Sequence, residues 1–169
     1  ANKLPKIDIY VNTTALTEFS LFEMSTINFA KKIFDTNFFS QIQVLQMVLK
    51  KMKKSKRGSV INLSSSATLE KNVGASIYAS SKAALETMSQ VISREVGGFN
   101  IRVNTVQPGL VDTEAMKKVH PEKFINEQLN RYSLKRIAKV EDVANLILFL
   151  ASDNSSHITG QVIKINGGI

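Results

Sequence analysis

The sequence predicts an α/β protein built on a doubly wound parallel sheet, and two observations carry that expectation. Short β-branched runs of strand length alternate with longer segments whose apolar residues recur at three- and four-residue steps. Strands separated by helices pair in parallel with helices on both faces, because a parallel pair needs a long crossover. The polar groups suited to chemistry, Ser65, Tyr78 and the Pro108-Gly109 turn, all fall just past the carboxyl ends of predicted strands. Open sheets of this kind bind their ligands there. A chain of 169 residues with 43% hydrophobic content suffices for one core, so the expected organisation is a single domain over residues 1–169.

A polar lead opens the chain and gives way to Ile7-Asp8-Ile9-Tyr10-Val11, a first strand. Asn12-Thr13-Thr14-Ala15 follows as a turn, with an Asx turn at the strand end as the plain reading of Asn12. From about Ser25 to Lys54, Ile27, Phe34, Phe38, Ile42, Leu45, Val48, Leu49 and Met52 trace one long amphipathic helix with a possible break near its start. Asn37 interrupts it, and solvent is the ordinary place for a mid-helix asparagine. Ser59–Leu63 is the second strand, followed by a loop containing Gly74. A helix runs from Tyr78 to roughly Val96 and ends at Gly97-Gly98. Ile101–Gln107 is the third strand. Glu114 to Arg136 is polar and broken by His120-Pro121, as expected of two short lid helices. Val140 to Leu150 is a helix opened by Glu141-Asp142, Ser152–Gly160 a loop, Val162–Ile165 the last strand, and Asn166-Gly167-Gly168 a closing turn.

The stretch with chemical content is Ser65 to Lys82. Residues four apart on a helix share a face, so the Tyr78 phenol and the Lys82 ammonium project together. A lysine charge about 5 Å away stabilises a phenolate by ~3 kcal/mol at an effective dielectric of about 20. That is enough to make a phenol, which ordinarily titrates near ~10, an acid/base usable near neutral pH. Ser65, delivered by the second strand, is placed to hold a substrate oxygen beside it. A Tyr-x-x-x-Lys spacing alone is also common in helices where the tyrosine packs and the lysine is solvated. Here the strand ending in Leu-Ser-Ser-Ser, the helix, the next strand and Pro108-Gly109 stand in fixed order around it.

That constellation resembles the short-chain dehydrogenase/reductase family, whose signature is a serine, a Tyr-x-x-x-Lys helix and a Pro-Gly turn after the following strand. The resemblance implies a Rossmann-like fold and an NAD(P)-dependent oxidoreductase moving hydride between a nicotinamide cofactor, NADP or NAD, and a carbonyl/secondary-alcohol pair. It assigns Tyr78 as the acid/base. Lys82 lowers its pKa and holds the nicotinamide ribose, Ser65 positions the substrate oxygen, and Asn37 completes a proton path. The cofactor would further meet Asn12 and Ala15, at the family's Asn-Asn-Ala-Gly turn, then Pro108 and Gly109 as a wall. The backbone of Val111 would bond its carboxamide and Thr113 a phosphate. Asn-Leu-Ser-Ser, Pro-Gly-Leu-Val-Asp-Thr and the Thr-Gly-Gln-Val-Ile-Lys-Ile-Asn-Gly-Gly ending are most similar to 3-oxoacyl-acyl-carrier-protein reductases, with polyol or sugar dehydrogenases as the nearby alternative. A rival from another class is a non-catalytic member acting as a binding or assembly partner, to which the altered Asn12-Thr13-Thr14-Ala15 turn is suited.

The resemblance covers nearly the whole chain but only the carboxyl-terminal portion of a family domain, the catalytic half. The family's first strand and its Thr-Gly-x-x-x-Gly-x-Gly phosphate loop have no counterpart among these residues. The expectation is a later portion of a longer chain, an outer edge of the Ile7 strand left bare, covered or beside a gap, and weak dinucleotide binding by these residues alone. In the family, the long helix and the Tyr78 helix pair across a two-fold axis, so a homodimer or homotetramer is expected.

The net charge is +8, with Lys50, Lys51, Lys53, Lys54, Lys56 and Arg57 clustered at the end of the long helix. Cations there complement the helix dipole, and docking of an acidic carrier protein is the second reading. Nucleic acid is not expected, since no aromatics interleave with the charges. No cysteine is present, and His120 and His157 are too few for a metal cluster and read as ordinary loop residues. With no membrane-length apolar run and no signal-peptide start, the expected setting is soluble and cytoplasmic, without a membrane partner.

Overall fold

The computed structural model describes residues 6–169, so the first residues of the polar lead lie outside the described residues. Four parallel strands, β1 (Ile9–Asn12), β2 (Gly58–Leu63), β3 (Ile101–Pro108) and β4 (Val162–Ile165), form one sheet in the order β1-β2-β3-β4. In register, Asn12 lies beside Asn62, Asn62 beside Thr105, and Thr105 beside Val162. Among the described residues, β1 pairs with β2 alone. The helices are α1 (Ile27–Phe34), α2 (Ser40–Ser55), α3 (Ala67–Glu70), α4 (Ser76–Val96), α5 (Glu114–Val119), α6 (Glu122–Arg131) and α7 (Val140–Ala151).

Strand alternation sends side chains to two cores. On one face Val60, Ile101 and Val103 pack with Leu45, Val48 and Met52 of α2 and Val96 of α4. On the other, Ile61 and Val106 pack with Val143 and Leu150 of α7. This two-sided burial is the doubly wound α/β, Rossmann-like arrangement that the sequence predicts. On the α4 side the sheet changes character along its length. Its amino half is apolar, whereas its carboxyl half carries Asn12, Asn62, Ser64, Thr105 and Gln107, all buried.

Several boundaries differ for local reasons. The long helix is interrupted by a π-helical turn over Asp35–Phe39, with α1 before it, capped by Thr26 Oγ1 accepting from Phe29 N at 3.1 Å, and α2 after it. The added residue in that turn rotates Asn37 inward, and its side chain is fully buried rather than solvated. α4 begins at Ser76 and ends at Val96, but Gly97 keeps a right-handed helical φ and the reversal falls on Asn100, at φ 55°. A single turn, α3, occupies the loop before Gly74. The basic cluster ends α2, with Arg57 paired to Asp153 at 3.0 Å and Lys53 over the Phe99 ring at 5.0 Å. It sits at the amino end of β2, one strand length, about 20 Å, from the carboxyl edge. Cations there complement the negative end of the α2 dipole.

Candidate active site

At the carboxyl ends of β2 and β3 a cleft of about 390 Å³ opens between the sheet edge and α5–α6. Ser65, Tyr78, Pro108, Gly109, Val111 and Thr113 line it. Asn12, Ala15, Asn37 and Lys82 do not; they stand behind or beside it.

Ser65 caps its own turn, with Ala67 N donating to Ser65 Oγ at 3.2 Å. That leaves the hydroxyl proton free to donate into the cleft. Tyr78 enters from the first turn of α4 and is held edge-on against Phe19, centroids 5.5 Å apart at 82°. Lys82, one turn on, is almost wholly buried at 1% exposure and donates to the Leu63 carbonyl at 2.9 Å. Burial pushes its ammonium down to about 8, opposed by the Glu86 carboxylate. One of its three N–H bonds is thus committed, and two remain for other partners.

Asn37 uses its amide fully on the donor side. Its Nδ2 donates to Leu16 O at 3.1 Å and to Ser81 Oγ at 3.1 Å, while its Oδ1 accepts from Leu16 N at 2.7 Å. It therefore anchors the segment after β1 to α4 beside Lys82. Asn12 is likewise turned inward: Nδ2 donates to Asn62 Oδ1 at 3.3 Å, and Oδ1 accepts from Thr14 N at 3.1 Å. The second bond is the Asx turn that the sequence suggests, so the Asn12 side chain holds the sheet, and Ala15 lies in the exposed turn beyond it.

Val111 forms an isolated parallel bridge with Ala138 in which Ala138 N donates to Leu110 O at 3.0 Å and Asp112 N to Ala138 O at 2.8 Å. The bridge leaves the N–H and C=O of Val111 itself for other partners. Thr113 Oγ1 accepts from Met116 N at 3.1 Å and caps α5, which leaves its proton to donate. Gly109 is required by packing. A Cβ there would lie 2.6 Å from the Tyr132 hydroxyl, which accepts from Leu110 N at 2.8 Å.

Tyr132 was not a candidate on sequence, and neither were Phe19, Glu86 or Gln107. His120, an ordinary loop residue by sequence, is drawn inward instead. Its ring stacks on Phe124 at 4.6 Å and meets Phe19 at 5.3 Å, because both aromatics converge on the break between α5 and α6. Burial lowers its pKa, opposed by the Glu70 carboxylate. Of these, Glu86 carried a readable signal, since Tyr78, Lys82 and Glu86 continue one four-residue series.

A doubly wound sheet with serine, tyrosine and buried lysine gathered at its carboxyl edge defines a Rossmann-like α/β protein with a candidate proton-transfer centre. The enoyl-(acyl carrier protein) reductase family model matches residues 1–169. The 3-oxoacyl-[acyl-carrier-protein] reductase FabG of Thermotoga maritima is 40% identical over 167 residues, 99% of this chain and 68% of that protein. The 7alpha-hydroxysteroid dehydrogenase of Escherichia coli K12 is 33% identical over 167 residues, 99% of this chain and 65% of that protein. A solved structure described as a short chain dehydrogenase/reductase family protein superposes with a TM-score of 0.90 at 28% identity, covering 98% of this chain and 68% of that one. The chain belongs to the short-chain dehydrogenase/reductase family, and it spans about two thirds of the length of the curated relatives it matches.

Proposed function

We propose that the protein reduces a carbonyl, or oxidises the corresponding secondary alcohol, with NADP or NAD as hydride partner. The observation that carries this reading is a free Ser65 proton and the Tyr78 phenol on one cleft, with the buried Lys82 cation one helical turn behind the phenol. A bound nicotinamide would supply or accept the hydride. Tyr78 gives the substrate oxygen its proton, or removes it in the reverse direction, and Ser65 donates a hydrogen bond that orients the same oxygen. Lys82 stabilises the phenolate as the proton leaves and turns a remaining N–H toward the ribose. The residues present fit the nicotinamide end: Pro108 and Gly109 wall the cleft, the backbone of Val111 is open for a carboxamide, and Thr113 keeps a proton for a phosphate. Asn37 retains one lone pair on Oδ1, where a water of a proton path would bind.

The substrate class proposed is a 3-oxoacyl thioester on a carrier protein. The cleft wall presents Ala67, Val73, Leu110, Val111, Met116 and Phe124 as an apolar stretch suited to an acyl chain, beside the polar Glu70, Asn72 and His120. A non-catalytic binding role is disfavoured because it gives no use for a buried lysine, which is costly to desolvate. The test is loss of nicotinamide absorbance with the full-length protein, NADPH or NADH, and matched 3-oxoacyl thioester, steroid ketone and sugar substrates. Turnover of sugars alone would overturn the acyl assignment, and no turnover with any carbonyl would overturn the enzyme reading.

The same protein is proposed to assemble as a homodimer or homotetramer. Met47 on α2 and Val91 on α4 are large apolar residues at 64% and 53% exposure. A two-fold interface over them should bury roughly 1,200 Å² or more. Sedimentation of the full-length protein as a monomer at micromolar concentration would reject this.

A further inference from the structure

The Tyr78, Lys82 series continues to Glu86, four residues beyond Lys82 on the same face of α4. Glu86 Oε1 is a meeting point for donors. Ser64 Oγ approaches it closely, Gln107 Nε2 donates to it at 2.8 Å, and Thr68 Oγ1 lies 3.2 Å away. Ser64 and Thr68 bracket Ser65 on the turn after β2, and Gln107 stands at the end of β3. Gln107 Nε2 also donates to Thr68 Oγ1 at 2.8 Å, and Thr68 Oγ1 reaches the Ser65 carbonyl at 3.1 Å. One carboxylate oxygen therefore ties the turn holding Ser65 to the strand behind it and to the helix holding Tyr78 and Lys82.

The orientation of Gln107 shows what the network is built around. Both amide protons are spent on Thr68 and Glu86, while its Oε1 is buried without a partner among the described residues. An amide that leaves its own oxygen unpaired to point its donors at a carboxylate is answering a negative charge.

The hydrogen-bond partner of Lys82 is the neutral Leu63 carbonyl of β2, and the adjacent Ser81 is bonded to Asn37 of the π-helical turn. Tyr78 and Glu86 stand one turn before and one turn after Lys82 on the same face of α4, and among the described residues Glu86 acts on the lysine as a nearby charge without forming an ion pair with it. Burial drives the lysine toward its neutral form, and the Glu86 carboxylate is the charge that opposes this.

We propose that Glu86 is a positioning residue of this centre: its carboxylate holds the Ser65 turn against α4 and supplies the anion that keeps Lys82 a cation. The catalytic consequence rests on the oxidoreductase reading above, whereas the electrostatic relation concerns Glu86 and Lys82 alone.

The test titrates Lys82 directly in the full-length protein by ¹⁵N-lysine NMR, its signal assigned by its loss in Lys82→Met. Glu86→Gln keeps size and an acceptor but removes the charge, and the Lys82 midpoint should fall by about one pH unit. Glu86→Asp, with the carboxylate set back by a methylene, should fall by a few tenths, and Ser64→Ala should stay near the native value. The pH profile of kcat/KM should move toward acid with the midpoint, and Glu86→Asp should restore most of it. An unchanged midpoint in Glu86→Gln overturns the proposal. So does an equal change in Ser64→Ala, which would make packing rather than charge the cause. Should Glu86→Gln not fold, as judged by circular dichroism, a native midpoint in Glu86→Asp overturns it. If the native protein turns over no carbonyl, the oxidoreductase reading falls, while the titration still decides the relation between Glu86 and Lys82.

Discussion

The Lys82 ammonium donates to the main-chain carbonyl of Leu63 across 2.9 Å, and this bond holds a nearly inaccessible cation against the end of β2. Burial lowers the folded-state pKa of Lys82 from 10.5 to about 8, against the opposing pull of Glu86. The unfolded chain therefore holds a proton on Lys82 that the folded one has released between those values. Stability rises with pH through that window, and below the folded pKa the full destabilisation is present. Relative to Lys82→Met, the native protein should gain on the order of 2 to 3 kcal/mol between about pH 7 and about pH 10. Urea denaturation at the two pH values measures this, and parallel curves for the two proteins would refute it.

Tyr78→Phe removes the dissociable proton at the centre and leaves the ring to pack against Phe19. Turnover of the full-length protein should fall by about 10² or more, with folding stability changed little. Near-normal turnover with the fold intact would sink the assignment of Tyr78 as the acid/base.

Gly109 and Tyr132 form a second checkable pair. In Gly109→Ala the new methyl meets the Tyr132 hydroxyl at 2.6 Å and Asn166 Cα at 3.1 Å, so stability should drop by ~1–3 kcal/mol. Tyr132→Phe leaves the Leu110 N–H without its acceptor and should cost about 1–3 kcal/mol. Because the first clash is largely with the hydroxyl that the second removes, the double variant should lose less than the sum. Additive losses in thermal melts would show that the two residues act separately.

His120 links the lid to the segment after β1 through Phe124 and Phe19. Its pKa is lowered by burial, with Glu70 opposing, so the packed arrangement favours the neutral ring. Above the ordinary histidine value the neutral stack is intact. As pH falls through the lowered folded value, the ring must charge between two apolar faces. Substrate KM should therefore rise several-fold as the pH is taken well below the ordinary histidine range, with kcat changed less. Phe in place of His120 should flatten that dependence; a KM profile identical in the two proteins would contradict it.

The sequence by itself determined what depends on local spacing. The period-two and period-3.6 patterns define β2, β3, β4, α4 and α7, and the alternation of strands with helices makes the sheet parallel and two-sided. The four-residue step from Tyr78 to Lys82 sets two groups on one face whatever surrounds them. Tertiary structure decided everything that depends on residues far apart in the chain. Asn37 turns inward because Leu16 and Ser81 offer its amide three hydrogen bonds across 21 and 44 residues. Phe19, His120 and Phe124 meet only when the lid folds over the segment after β1, and Gly109 is confined by a tyrosine 23 positions later. The lowered pKa of Lys82 likewise belongs to no local pattern, since desolvation is a property of the packed core and not of the spacing that brings a lysine to its edge.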